Sequence, residues 1–185
     1  MHGCCPMCRK ALGLSSLNRV SRDQNAAPAP PSDSLTNKYG IKMATLIRLI
    51  NQVLDENAEH RIIVFSQWDD MLSRIGGTLS SNGIKSLFCR GTVVSRNRVL
   101  KTFKSNEPDA PRVLMLSLES AASGTNLVEA SHVVLVDPVA GTKSHADATE
   151  AQAIARAHRI GQNKQVKVVR LIIRDTIEQR LHERE

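Results

Sequence analysis

Aromatic side chains are scarce: Tyr39, Phe65, Trp68, Phe88 and Phe103 are the five in 185 residues. So few rings argue against a module that holds single strands by stacking successive bases on a row of aromatic side chains. Cysteines are few as well. Of the four, three crowd into Cys4, Cys5 and Cys8, which does not make a disulfide scaffold. No apolar run approaches the roughly 18–20 residues of a membrane span. The start, MHGCCPMCRK, lacks the apolar core of a secretory signal. No compact run of Lys and Arg stands out. What is there is ordinary: 41 % apolar residues, and 25 Lys+Arg against 18 Asp+Glu for a net charge of +7. These features predict one soluble, intracellular α/β-type domain with no membrane partner. The modest basic excess is compatible with nucleic acid as a partner but does not demonstrate one.

The pattern changes along the chain. Residues 15–37 read SSLNRVSRDQNAAPAPPSDSLTN, a Ser/Pro/Ala composition that predicts a flexible linker over 15–39. From Gly40 the pattern is regular. Met43, Leu46, Ile47, Ile50 and Val53 predict an amphipathic helix over 41–56. Apolar, β-branched runs predict strands over 62–66, 86–89, 112–117, 132–137 and 166–173. Helices are predicted over 68–83, weakened by Gly76-Gly77 and stopped by Gly83, over 95–105 and over 147–158. A last helix opens at Asp175 with Glu178 at capping-box spacing. Strands alternating with helices predict a parallel sheet covered on both faces. Ligands of such sheets sit beyond the carboxyl ends of the strands, so the polar residues after 62–66, 112–117 and 132–137 are candidates.

Gln152, Arg156 and Arg159 are spaced i, i+4, i+7 in QAIARAHRIGQ. On a helix they form one polar stripe, with Ile154, Ala157 and Ile160 on much of the opposite side. Two guanidiniums on one face suit bidentate capture of phosphate oxygens. From periodicity alone, a solvated arginine face is the simpler reading. The segment LESAASGTNL after Ser117 is rich in small residues that let backbone N–H groups approach a phosphate, or it is an ordinary connecting loop. Trp68 reads as a packing ring in preference to a base-stacking one. Asp69 and Asp70 suit the first turn of a helix. Cys89 reads as a buried small hydrophobe. His60, His132, His145 and His182 show no ligand spacing and read as surface or helix-end residues.

QAIARAHRIGQ resembles motif VI of the Swi/Snf-related branch of superfamily II helicase-like ATPases, with Gln162 favouring this branch over RNA helicases. IIVFSQW (62–68) resembles motif IV, and GTVVSRNRVLKTF (91–103) resembles motif IVa and the helix after it. VLMLSLESAASGTNLVEASHVVLVDP (113–138) resembles motif V and the next strand, and RDTIEQRL (174–181) the closing helix. The resemblance spans about residues 40–182 in the family's order. It implies a RecA-like helicase C-terminal lobe over 40–185. By resemblance Arg156 and Arg159 are catalytic arginine fingers, and ATP is bound by Gln152, Arg156, Arg159 and Gly124. DNA backbone contacts fall to Gly91, Thr92, Ser123, Gly124, Thr125 and Asn126. It further implies ATP and Mg²⁺ shared with a first, N-terminal RecA-like lobe, duplex DNA as partner and a nuclear address, with a nucleosome as a further candidate partner.

Cys5-Pro6-Met7-Cys8-Arg9 is similar to the last ligand pair of a RING finger. A C-x₂-C pair is half of a tetrahedral zinc site. A site built from His2, Cys4, Cys5 and Cys8 is strained by the Cys4-Cys5 adjacency, and free thiols are the remaining option. The resemblance implies that residues 1–14 are the C-terminal remnant of a RING, with Zn²⁺ only in the complete domain and a ubiquitin-conjugating enzyme as its partner. The RING-containing branch typified by the SHPRH ubiquitin ligase is nearest.

Three departures accompany the resemblance. These 185 residues hold no G-x-x-x-x-G-K-[ST] phosphate cradle. Arg90 stands before Gly91, where the family has an acidic residue. The stretch between Pro138 and Gln152 lacks the usual Trp-Asn-Pro-like segment. The sequence thus predicts a lobe incomplete for ATP hydrolysis alone. The alternatives are a non-catalytic scaffold lobe and an RNA helicase lobe.

Overall fold

The computed structural model describes residues 34–121, 127–157 and 165–183. The elements are α1 (Ser34–Tyr39), α2 (Ile41–Glu56), β1 (Ile62–Ser66), α3 (Asp69–Ser81), β2 (Ser86–Phe88), α4 (Val93–Lys104), β3 (Val113–Ser117), α5 (Leu118–Ala121), β4 (His132–Leu135), α6 (Lys143–Ala157), β5 (Lys167–Arg170) and α7 (Ile177–Glu183). The strands form one parallel sheet in the order β2-β3-β1-β4-β5. Every residue of β1, β3 and β4 is buried, as expected of strands covered on both faces.

Alternation along those strands divides the core in two. Ile63, Phe65, Leu114, Leu116, Val133 and Leu135 pack with Leu100 and Phe103 of α4 and Ala146, Ala153 and Ala157 of α6. Ile62, Val64, Val113, Met115 and Val134 pack with Leu46, Ile47, Ile50 and Val53 of α2 and Leu72, Ile75 and Leu79 of α3. α3 runs unbroken through Gly76, which faces Met115 of β3. A Cβ there would stand 3.0 Å from the Met115 Cε, so the end of that flexible side chain would have to give way.

The predicted RecA-like α/β architecture is the one observed, with adjustments at element ends. Residues 34–39, assigned from composition to the linker, form α1, whose Leu35 and Tyr39 pack on the α2–α3 side of the core. α4 begins two residues earlier than predicted, because Thr92 caps it by accepting from the Ser95 N–H at 3.3 Å. α6 begins four residues earlier, at Lys143, after Thr142, whose hydroxyl accepts from the His145 N–H. β5 is confined to four residues. Asp175 does not open α7. It has φ +58, and Thr176 caps the helix by accepting from the Glu178 N–H, while Gln179 reaches back to the Asp175 N–H.

Candidate functional site

The chain order reverses across β1 and β4, so the switch point of the sheet lies at their carboxyl ends. A hydrogen-bonded clasp sits there. Asp137 accepts from the Ser66 hydroxyl at 2.6 Å and from the Gln67 N–H at 2.9 Å. The Gln67 amide donates to the Pro138 carbonyl at 2.7 Å, and its oxygen accepts from the Ala140 N–H at 3.0 Å. The Ser66 hydroxyl also accepts from the Trp68 N–H. Gln67 and Asp137 were not singled out from sequence, although both follow strands whose ends were marked as candidates. The signal was a polar residue directly after an apolar run.

This clasp holds Trp68 with its ring outward. Trp68 is 60 % exposed, so the packing role expected from sequence is incorrect. As the residue before α3, it points away from the core that Leu72 and Ile75 reach one turn on. Asp69 and Asp70 lie in the first turn of α3 as expected.

At the carboxyl end of β2 the chain turns at Gly91, φ +86, a conformation that strains any residue with a Cβ. Gly91 and Thr92 are exposed. Val93 and Val94, the first two residues of α4, are exposed too, at 62 % and 73 %. Ser123, Gly124, Thr125, Asn126, Arg159, Cys5 and Cys8 lie outside the described residues.

α6 places Gln152 on its exposed side and Arg156 half-buried one turn on. Ala153 and Ala157 are fully buried, and the Glu150–Arg170 ion pair at 2.8 Å ties the helix to β5. The Leu127 N–H donates to the Arg156 carbonyl at 2.9 Å, and the Leu127 side chain is fully buried against the same core. The end of the motif V segment is thereby joined to the motif VI helix. Because α6 returns from the carboxyl end of β4 towards the start of β5, Arg156 and the Gly91–Thr92 turn stand at opposite ends of the strands. Among the described residues no three His, Cys, Asp or Glu side chains converge to hold a metal ion.

Two arginines anchor this frame from the amino ends of the strands. Arg61 donates to the Phe103 and Ser105 carbonyls at 2.6 and 2.7 Å and to the Asn106 Oδ1 at 2.9 Å, closing the C-terminus of α4. Burial pushes its pKa below the ordinary arginine value. Arg112 donates to the Leu54, Asn57 and Ala58 carbonyls and closes α2 in the same way. Cys89 is buried as expected, just after β2, and burial raises its pKa. His132, expected at the surface, is instead buried in β4. Its Nδ1 lies 2.9 Å from the Ser131 hydroxyl, and its ring stands edge-on to His60 at 5.0 Å.

Residues 41–161 match the family model described as the helicase conserved C-terminal domain. The chain is 37 % identical over 182 residues to a protein of Arabidopsis thaliana named "Putative SWI/SNF-related matrix-associated actin-dependent regulator of chromatin subfamily A member 3-like 1", covering 97 % of this chain and 20 % of that protein. It is 34 % identical over 184 residues to "DNA repair protein RAD5B" of the same plant, covering 98 % of this chain and 14 % of the other. The chain thus spans a fifth or less of the length of these relatives. Among solved structures, the C-terminal part of the Fun30 ATPase domain superposes with a TM-score of 0.69 at 27 % identity, over 82 % of this chain and 46 % of that one. The Sulfolobus solfataricus SWI2/SNF2 ATPase core domain gives 0.61 at 26 % identity, over 79 % and 28 %. With its parallel sheet and its ordered motifs, the chain belongs to the helicase conserved C-terminal domain family, in its SWI/SNF type.

Proposed function

We propose that this chain is the second RecA-like lobe of an ATP-driven translocase on duplex DNA, working in DNA repair or chromatin remodelling in the nucleus. The carrying observation is the Leu127–Arg156 hydrogen bond. It couples the segment proposed to touch DNA (Ser123, Gly124, Thr125 and Asn126) to the helix proposed to touch nucleotide. Arg156 and Arg159 act on the γ-phosphate as arginine fingers, with Gln152 and Gly124 beside the nucleotide. Cationic guanidiniums on this stripe fit a triphosphate. A phosphate cradle and Mg²⁺ ligands come from a first lobe. When ATP and Mg²⁺ are bound, they supply the transferable phosphoryl group and neutralise its charge. Gly91 and Thr92 hold the DNA backbone at the other end of the strands, positioning without reading sequence.

The names of the relatives support the repair and remodelling setting. A RING-bearing parent of the SHPRH-like kind, acting as a ubiquitin ligase with Zn²⁺ partly held by Cys5 and Cys8, rests on the C-P-x-C-R pattern. A nucleosome and a ubiquitin-conjugating enzyme are the corresponding partners.

The chain alone is expected to show no ATP turnover above background, with or without duplex DNA, because it lacks the phosphate cradle. Supplying the first lobe in the same polypeptide is expected to give turnover that duplex DNA stimulates more than RNA does. Turnover by the chain alone, unchanged by Arg159→Ala, would refute the shared-site reading. Greater stimulation by RNA would favour the RNA helicase alternative.

A further inference from the structure

β2 is an edge strand of the sheet, and its outer margin carries unused backbone groups. Its pairing with β3 continues to the Cys89 N–H, which donates to the Met115 carbonyl at 2.9 Å. Successive residues of a strand turn their N–H and C=O to alternate sides. Leu87 and Cys89 therefore direct theirs to β3, and Ser86 and Phe88 direct theirs to the open side.

A groove of about 660 Å³ runs beside this margin, between β2 and α3. Leu87 and Cys89 pack into the core on the α4–α6 side of the sheet, while Phe88 packs on the α2–α3 side. Phe88, Ile84 and Met115 give the groove an apolar floor. On α3, Gly77 leaves it open, since a Cβ built there meets nothing within 4 Å. Glycine inside a helix is unfavourable relative to Ala, and no contact among the described residues calls for this one. The charged lining residues are Lys85 and Arg90, both cationic and at most about 17 Å apart along extended chain. Lys85 pairs with Asp109 at 3.1 Å, but both side chains are largely exposed, so that pair is weak. The Arg90 guanidinium lies 4.8 Å from the centroid of the Phe88 ring, a stacking that holds its charge beside the apolar floor.

We infer that the β2–α3 groove docks an acidic, extended peptide segment of a partner protein, which adds a strand to the free edge of β2 and lays alternate side chains between Phe88 and α3. The open N–H and C=O groups of Ser86 and Phe88 supply the main-chain pairing. Charge identifies the occupant. A groove with a cation towards each end of β2 selects carboxylates five residues apart and disfavours a basic segment. The inference is independent of the duplex-DNA reading above: the partner is a protein, and the contact is made by the face of β2 turned towards α3.

The probe is the fluorescein-labelled peptide Asp-Val-Thr-Thr-Val-Asp, whose symmetry offers an Asp to each cation in either strand direction. Lys-Val-Thr-Thr-Val-Lys is its counterpart, and both are titrated against the whole chain by fluorescence anisotropy. The acidic peptide is expected to bind about tenfold or more tightly than the basic one. Gly77→Leu fills the groove from a position with open space beside it and favours the helix. It is expected to abolish binding of the acidic peptide, with no fall in melting temperature and no change in duplex binding. Arg90→Glu, at an exposed position, is expected to remove the preference for the acidic peptide. Equal binding of the two peptides by the wild-type chain, or no binding of either, overturns the proposal. So does a preference that survives Arg90→Glu, acidic-peptide binding retained in Gly77→Leu, or a loss of duplex binding there in its place.

Discussion

His132 occupies a strand position where an apolar side chain would be the plain choice. Its pKa is held down to about 4, first by burial and then by the positive charge of His60 and Lys167, with Glu56 pulling the other way. The ring is therefore neutral in the fold at pH 7, while in the unfolded chain it takes up a proton near 6.5. The unfolded state binds more protons between these values, so stability falls as pH drops from about 6.5 towards 4. Urea midpoints measured at pH 7 and pH 4.5 are expected to differ less in His132→Phe than in wild type. An unchanged difference would remove His132 from the account. Trp68 makes the complementary point. Both residues were placed wrongly from sequence because side-chain chemistry sets only a preference for inside or outside. The Asp137–Gln67 clasp, which turns Trp68 outward, depends on residues about 70 positions apart.

At the scale of elements, β1, β3 and β4 were legible because continuous apolar runs leave no other home for their side chains than a doubly covered sheet. α2 was legible from its 3.6-residue apolar repeat. The first turn of α6 was not, because its buried residues are Ala146, Ala153 and Ala157, which give almost no amphipathic signal. Only Thr142 marked its start. α1 was hidden in linker composition, since two apolar residues, Leu35 and Tyr39, suffice to dock it. The nucleotide stripe on α6 was suggested by spacing and given a role by resemblance. Its attachment to Leu127 is a tertiary fact that no local pattern announces. Between elements, the clasp joins the ends of β1 and β4. Asp137→Ala leaves the Ser66 hydroxyl and the Gln67 N–H without their acceptor, and is expected to lower unfolding free energy by about 2–3 kcal/mol in urea titration. A loss under about 0.5 kcal/mol, the range of ordinary surface changes, would show the clasp to be incidental.

The contact regions proposed for the molecule as a whole lie apart. Gly91 and Thr92 follow the carboxyl end of β2, and Arg156 lies near the end of α6, where its carbonyl accepts from the Leu127 N–H. Neither region accomplishes hydrolysis alone in this account. The central claim is that α6 delivers positive charge to a nucleotide shared with another lobe. It is tested most directly by DNA-stimulated ATP turnover in a polypeptide carrying both lobes, comparing wild type with Arg156→Ala and Arg159→Ala. The account predicts kcat lower by roughly 10³-fold or more, with melting temperature and duplex binding close to wild type. Wild-type kcat in both folded variants would contradict it.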